Sequence, residues 1–178
     1  MKKFIIDNSH SEVGFKVKHL MISSVKGNFG SFSGELSGSL ENLNIMVNVS
    51  TSSVNTNNEN RDQHLTSPDF FDCENHPSLT FESKSFDVTN KTITGDLTIK
   101  GVTHSVSLDC DYNGMSVDPW GNTKHGFEIS GNISRGDFDL SWNSPLETGG
   151  VLVGDQVRLS IDLQILEEVS ELITETQN

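Results

Sequence analysis

Over most of its length the chain places an apolar residue at every second position. Val13, Phe15 and Val17 alternate with Glu12, Gly14, Lys16 and Lys18, and Ile45, Val47 and Val49 alternate with Met46, Asn48 and Ser50. The beat returns at Leu79 and Phe81, at Ile93, Leu97 and Ile99, and at Val102, Val106 and Leu108. It returns again at Phe127, Ile129 and Ile133, and last at Val157, Leu159, Ile161, Leu163 and Ile165. Successive side chains of a strand point to opposite faces, so each run has one apolar face and one wet face. Turn formers separate the runs: Thr89-Asn90-Lys91, Lys100-Gly101, Asn113-Gly114, Pro119 to Gly121, and Gly149-Gly150. Lys100-Gly101 leaves room only for a tight antiparallel hairpin. About eight strands with short connections and no crossover helices predict an all-β antiparallel meander.

One stretch changes faces midway. In "VKGNFGSFSGEL", residues 25–36, the apolar beat runs through Val25, Gly27 and Phe29, then slips by one to Phe32, Gly34 and Leu36. A bulge at Gly30-Ser31 has this effect, and bulges and glycines bend strands where a sheet closes on itself. Residues 25–40 therefore read as one long bent strand of a closed barrel, which has no exposed edges. Gly27, Gly95 and Gly131 fall on the inner face and predict an under-filled lumen, wide enough in an eight-stranded barrel for one small ligand. The rival expectation is a solid barrel, a non-catalytic structural or protein-interaction module in which the glycines only relieve strain at bends.

At 178 residues the chain suits one domain with one core. A formal net charge of −13, with twelve Lys and Arg in no dense run, argues against nucleic acid and against polybasic membrane docking. Cys73 and Cys110 match no metal or redox spacing and read as small buried or half-buried thiols. The start, "MKKFIIDNSHSEVGF", has too short an apolar segment for a secretory signal, and no run is long enough to cross a bilayer. The expectation is a cytoplasmic protein without integral membrane contact.

The segment "NNENRDQHLTSPDFF", residues 57–71, breaks the alternation. It has helix formers after an asparagine cap, and Ser67-Pro68 supplies a second cap, so a short helical insert is expected to close one end of the sheet. The acidic tail, residues 167–178, could carry a short helix with Val169, Leu172 and Ile173 on one side. No G-x-S-x-G elbow, H-E-x-x-H helix or phosphate loop is present, so no catalytic, metal or cofactor site is assigned.

The segments "DNSHSEVGFKVKHLMISSVKGNFGSFSG", "NENRDQHLTSPDFFD", "HPSLTFES", "TITGDLTIKGVTHSVSL", "GFEISGNISRGDFDLSWN" and "VGDQVRLSIDLQI" resemble the YceI-like family in order and spacing, over residues 1–166. The resemblance implies an extended eight-stranded antiparallel lipocalin-like barrel. It also implies a polyisoprenoid or similar long-chain amphiphile, such as a fatty-acyl ligand, in the lumen, and a homodimer.

The lumen lining expected from the pattern is Phe15, Val17, Phe29, Phe81, Leu97 and Phe127, with Ile133 and Phe138. Leu65, Phe70 and Phe71 join it at the helical end, and Trp142 is placed to cap the slot. Singly, each is better explained as an ordinary core residue, and only the set points to a lumen. A polar rim is expected from His19, Arg61, Asp62, His64 and Arg135, since guanidinium groups offer a planar fork to a phosphate or other polar head. The alternative role for Arg61, Asp62, Arg135 and Asp137 is structural, as salt bridges pinning the insert to the rim.

Overall fold

The computed structural model describes residues 1–168, in which eleven strands form one sheet. The expected tail helix at Val169, Leu172 and Ile173 lies outside the described residues. Strands β1 (Lys2–Ile6) and β2 (Glu12–His19) lie end to end against the 15-residue strand β11 (Val153–Glu167). Phe4 and Ile6 pair with Glu167 and Ile165, while Val13, Phe15 and Val17 pair with Ile161, Leu159 and Val157. The two strands are thus halves of one barrel stave.

The next two staves are divided in the same way. β3 (Ser23–Phe29) and β4 (Phe32–Ser39) make the second, and β5 (Asn42–Ser50) and β6 (Val54–Asn55) the third. After helix α1 (Glu59–Thr66), β7 (Ser78–Asp87), β8 (Thr92–Ile99), β9 (Val102–Val117), β10 (Thr123–Ser134) and β11 supply one stave each. Because β11 pairs back onto β1 and β2, the result is a closed antiparallel barrel of eight staves, as the alternation predicts. Closure through β11 removes the edges along most of the sheet, although β3 is paired on its far side only at Asn28 and Phe29 among the described residues. Lys100 and Gly101 both take positive φ, +51° and +77°, in the expected tight turn between β8 and β9.

The slipped beat at Gly30-Ser31 is the junction between β3 and β4. Both residues are exposed, and Phe29 and Phe32 on either side are both buried, so the two-residue break preserves an inward apolar face along the stave. The breaks in the first three staves lie side by side. Asn8 of the first donates to the carbonyl of Phe32 (3.0 Å), while the backbone N–H groups of Gly30 and Ser50 donate to the carbonyls of Ser53 and Ser31 across the second and third (3.2 and 2.9 Å).

One end of the barrel is sealed. Phe4, Leu36, Leu43, Phe127 and Ile165 are buried there, together with His125, whose ring nitrogens meet Tyr112 Oη (2.9 Å) and Glu167 Oε1 (3.0 Å). Phe127 packs against Phe86 and Tyr112 with centroids 5.9 and 5.1 Å apart. The other end is roofed by α1 and by the loop from Leu140 to Leu152.

The inward glycines do not leave the space expected of them. A Cβ on Gly27 would lie 2.5 Å from Phe15 Cζ, and one on Gly131 would lie 2.5 Å from Leu108 Cδ2. Neighbouring side chains already fill these positions. The glycines let large residues lie flat along the wall, and any void must come from the width of the barrel itself.

Candidate functional site

Such a void exists in the half of the barrel away from the seal. Its volume is about 510 Å³, within the ordinary range for small-molecule sites. Inward residues of β2, β3, β5, β7, β8, β10 and β11 make its wall, and polar side chains enter chiefly at the roofed end. The wall follows from the alternation: Val13, Phe15 and Val17 stand opposite Ile161, Leu159 and Val157, presenting paired apolar side chains inward on adjacent strands.

Of the expected lining, Phe15, Val17, Phe29, Leu65, Phe70, Phe71, Phe81, Leu97, Ile133 and Trp142 face this cavity. Two residues do not. Phe127 is on the inward face but belongs to the sealed end, because period-two alternation specifies a face and not a depth. Phe138 sits in the 3-10 turn Arg135–Phe138 after β10, where strand parity no longer applies, and it is buried edge-on against His104, 5.2 Å between centroids. Residues left out of the expected lining include Val25, Val47, Leu79, Leu159 and Ile161. Val25 and Leu79 share an alternating face with Phe29 and Phe81, whereas Val47, Leu159 and Ile161 lie on β5 and β11, whose apolar alternation was the signal available.

The mouth is built on α1. Asn58 caps the helix by accepting from the Arg61 backbone N–H (3.0 Å). Arg61 donates through Nε and Nη2 to the hydroxyl and carbonyl oxygens of Thr56 (both 2.7 Å), and Asp62 accepts from the Thr56 N–H and hydroxyl (2.9 and 2.6 Å). Buried Thr56, rather than a salt bridge, pins the insert to the rim. Arg61 lines the cavity and its Nη1 has no partner among the described residues, whereas Asp62 faces away from the cavity, turned to Thr56. Ser67 ends α1 by donating to the carbonyl of His64 (2.6 Å), and the residues after it form a turn instead of a second helix.

His64 holds Asp69 through Nε2 (2.9 Å). Its ring meets Trp142 and Phe70 edge-on at 4.6 and 5.1 Å, and the last two are 5.5 Å apart, so three rings cluster at the mouth. His19 lines the same region from the end of β2.

Arg135 also reaches the cavity wall, but its donors are committed. It bonds the carbonyls of Gly154 (2.8 Å), Trp142 (2.9 Å), Val153 (3.2 Å) and Leu140. Four of its five N–H groups therefore tie the start of the Leu140–Leu152 loop, at Leu140 and Trp142, to the first residues of β11, Val153 and Gly154, and the fork expected for a ligand head serves the backbone. Burial presses its pKa below the ordinary guanidinium value, with Asp155 opposing the shift. Asp155 is itself held low, first by the Ser134 hydroxyl and then by the Gly136 N–H.

Among the described residues no group of three or more His, Cys, Asp or Glu is placed to hold a metal ion. An apolar lumen with polar groups at one end can take up an apolar chain and meet a polar end at the mouth.

Comparison with known proteins places this architecture. Residues 4–165 match the family described as YceI-like domain. The UPF0312 protein of Staphylococcus epidermidis is 43% identical over 162 residues, covering 89% of this chain and 94% of that protein. A Staphylococcus aureus UPF0312 protein is 41% identical over the same length. The crystal structure of the Campylobacter jejuni YceI protein is similar with a TM-score of 0.73 at 35% identity, covering 92% of this chain and 96% of that one. Two more distant structures share the fold. BcnA of Burkholderia cenocepacia has a TM-score of 0.76 at 20% identity, covering 89% and 98% of the chains. A polyisoprenoid binding domain from Saccharophagus degradans, implicated in plant cell wall breakdown, has a TM-score of 0.72 at 13% identity, covering 93% and 98%. With the family match spanning the barrel and a relative at 43% identity, this chain belongs to the YceI-like family.

Proposed function

We propose that the protein carries or sequesters a long-chain isoprenoid or similar lipid amphiphile, with its tail in the lumen and its polar end at the Arg61, His64 and Trp142 rim. The observation that carries this reading is the cavity of about 510 Å³, apolar along its walls and polar at its mouth. Each buried methylene contributes about 0.8 kcal/mol, so ten would supply on the order of 8 kcal/mol before the cost of ordering the chain. Tail burial alone is sufficient for useful affinity, and the rim then selects the head. The fold shared with a polyisoprenoid binding domain supports the same class of cargo.

A binding role needs no catalytic group. A homodimer accompanies the reading, supported by Met115, Val117 and Trp120 on the β9–β10 hairpin, which are 64%, 58% and 83% exposed. A cytoplasmic setting is likewise proposed. Cys73 and Cys110 are both free thiols, which suits a reducing compartment.

Mass spectrometry of organic extracts from purified protein tests the cargo. A stoichiometric long-chain lipid is expected, and an extract empty after expression in a lipid-replete host would end the proposal.

A further inference from the structure

The cations of this acidic chain are unevenly used. Of twelve Lys and Arg, Lys2, Lys84, Lys91 and Lys124 pair with carboxylates. Arg61, Lys100 and Arg135 bond backbone or threonine oxygens. Lys3, Lys16, Lys18, Lys26 and Arg158 have no such partner among the described residues, and four of these five stand together. Arg158 is opposite Lys16 in the β11–β2 ladder, and Lys16 is opposite Lys26 in the β2–β3 ladder, so three like charges form one row across adjacent strands. Lys18 follows two residues nearer the mouth, and all four are exposed. Like charges directly opposite one another destabilise a sheet. The nearest acids on these strands, Glu12 and Asp162, face each other four residues further toward the sealed half, while Asp155 is taken by Ser134 and Gly136.

The β2–β3 hairpin that carries this row ends in a second costly feature. In the three-residue loop between the paired His19 and Ser23, Leu20 and Met21 have φ of +54° and +60° at the centre of a turn closed by the Ile22 N–H on the His19 carbonyl (3.3 Å), positions that favour asparagine and glycine. Side chains strain the backbone there. The strained turn presents Leu20, Met21 and Ile22 to solvent, 37%, 62% and 84% exposed. Its backbone is tied to the cavity mouth by a bond from Leu20 N–H to the carbonyl of Leu152 (2.8 Å), and His19 and Leu152 both line the cavity.

We propose that the Leu20–Ile22 tip and the Lys16, Lys18, Lys26 and Arg158 row form a docking surface for an anionic lipid bilayer. The tip enters the interface and the cations meet the headgroups, so that the barrel mouth faces the membrane. Protein interfaces are depleted in lysine, and three of the four cations beside this tip are lysines; a nucleic acid offers an apolar tip nothing to enter. A bilayer surface accepts both features, with about the binding that reversible docking needs. In sequence these cations form no run; the sheet assembles them. The inference goes beyond the lumen reading and rests on it only for what would be exchanged at the surface.

Flotation of purified protein with vesicles of equal parts phosphatidylcholine and phosphatidylglycerol, against phosphatidylcholine alone, is the test. Binding to the anionic vesicles only, weakened by added salt, is expected. Lys16→Glu with Lys26→Glu is expected to weaken it by about tenfold or more. Leu20→Asn with Met21→Gly supplies the preferred turn residues, so it is expected to raise the Tm while lowering vesicle binding. A purely structural tip would not separate these two readouts. Absence of wild-type binding at low salt, or full binding by both double variants, overturns the proposal. A tip variant that changes only self-association in sedimentation would also overturn it and assign the surface to a second copy of the chain. Lipid extraction is scored separately, so lost docking with retained cargo leaves the lumen reading standing.

Discussion

Phe81 lies across Gly95, its Cζ 2.6 Å from where a Cβ on that glycine would stand, with the carbonyl of Glu82 crowding the same place. The contact separates two kinds of inward position on one barrel wall. At Gly95 the space is already used, so Gly95→Ala is expected to destabilise by about 1–3 kcal/mol through displaced packing. At Val157, which borders the open cavity, Val157→Phe has room to turn inward. It is expected to change stability by less than about 1 kcal/mol while cutting copurified lipid severalfold. Denaturant titration read beside lipid extraction checks both.

The two tryptophans give an optical test of the mouth. Trp120 is 83% exposed on the β9–β10 hairpin, whereas Trp142 packs with His64 and Phe70. In Trp120→Phe, titration with a long-chain amphiphile is expected to shift Trp142 emission to the blue. The same titration of Trp142→Phe should leave the spectrum unchanged. A silent Trp142 would place the bound chain elsewhere.

Arg135 is expected to act on stability more than on ligand selection. Arg135→Ala takes the side-chain donor from the carbonyls of Leu140, Trp142 and Gly154, while that of Val153 keeps Asn143 Nδ2 (2.7 Å), and is expected to cost roughly 3 kcal/mol. Arg135→Lys cannot reproduce the fork and should recover only a small part. Thermal unfolding of both variants, compared with lipid content per folded molecule, distinguishes this from a head-group contact. That contact would leave the Arg135→Lys stability intact.

Acid sensitivity is expected to centre on the break between β1 and β2. Asp7 accepts from the Ser9 hydroxyl (2.6 Å), Lys124 Nζ (2.9 Å) and Gln164 Nε2 (3.1 Å), and it meets the His10 ring (2.9 Å). The Ser9 bond leads in holding its carboxyl well below the usual range, with Lys124 and His10 adding to it against the opposing effect of burial. A carboxyl lowered on folding contributes stability that is complete above its unfolded value, about 3.9, and lost as pH falls toward its folded value. Glu167, lowered first by His125 and next by Lys2, adds to the same acid limb. Asp7→Asn is expected to lower Tm at neutral pH and to flatten the decline of Tm below about pH 4.

The barrel was legible because its alternation repeats and its turns are short; even the slipped beat at Gly30-Ser31 marked a real junction. The site was only half legible. Parity puts Phe15, Phe29, Phe81 and Phe127 on one face with equal force, but only the register with β11 and β9 shows that Phe127 belongs to the seal. Phe138 was misplaced because a 3-10 turn replaced the strand; Arg135 does reach the cavity, but a guanidinium reads alike in sequence whether its partners are ligand oxygens or backbone carbonyls. The row of Lys16, Lys26 and Arg158 could not be seen at all, since nothing in the spacing of residues 16, 26 and 158 announces that two ladders will align them.

The side-by-side interruptions at residues 7–11, 30–31 and 51–53 form a crease across three neighbouring staves. Above the crease, β2, β3 and β6 meet β1, β4 and β5 through short connections, while the unbroken β11 ladders both β2 above and β1 below. One full-length stave therefore carries the whole mechanical link between the hollow top and the plugged base on this side of the tube.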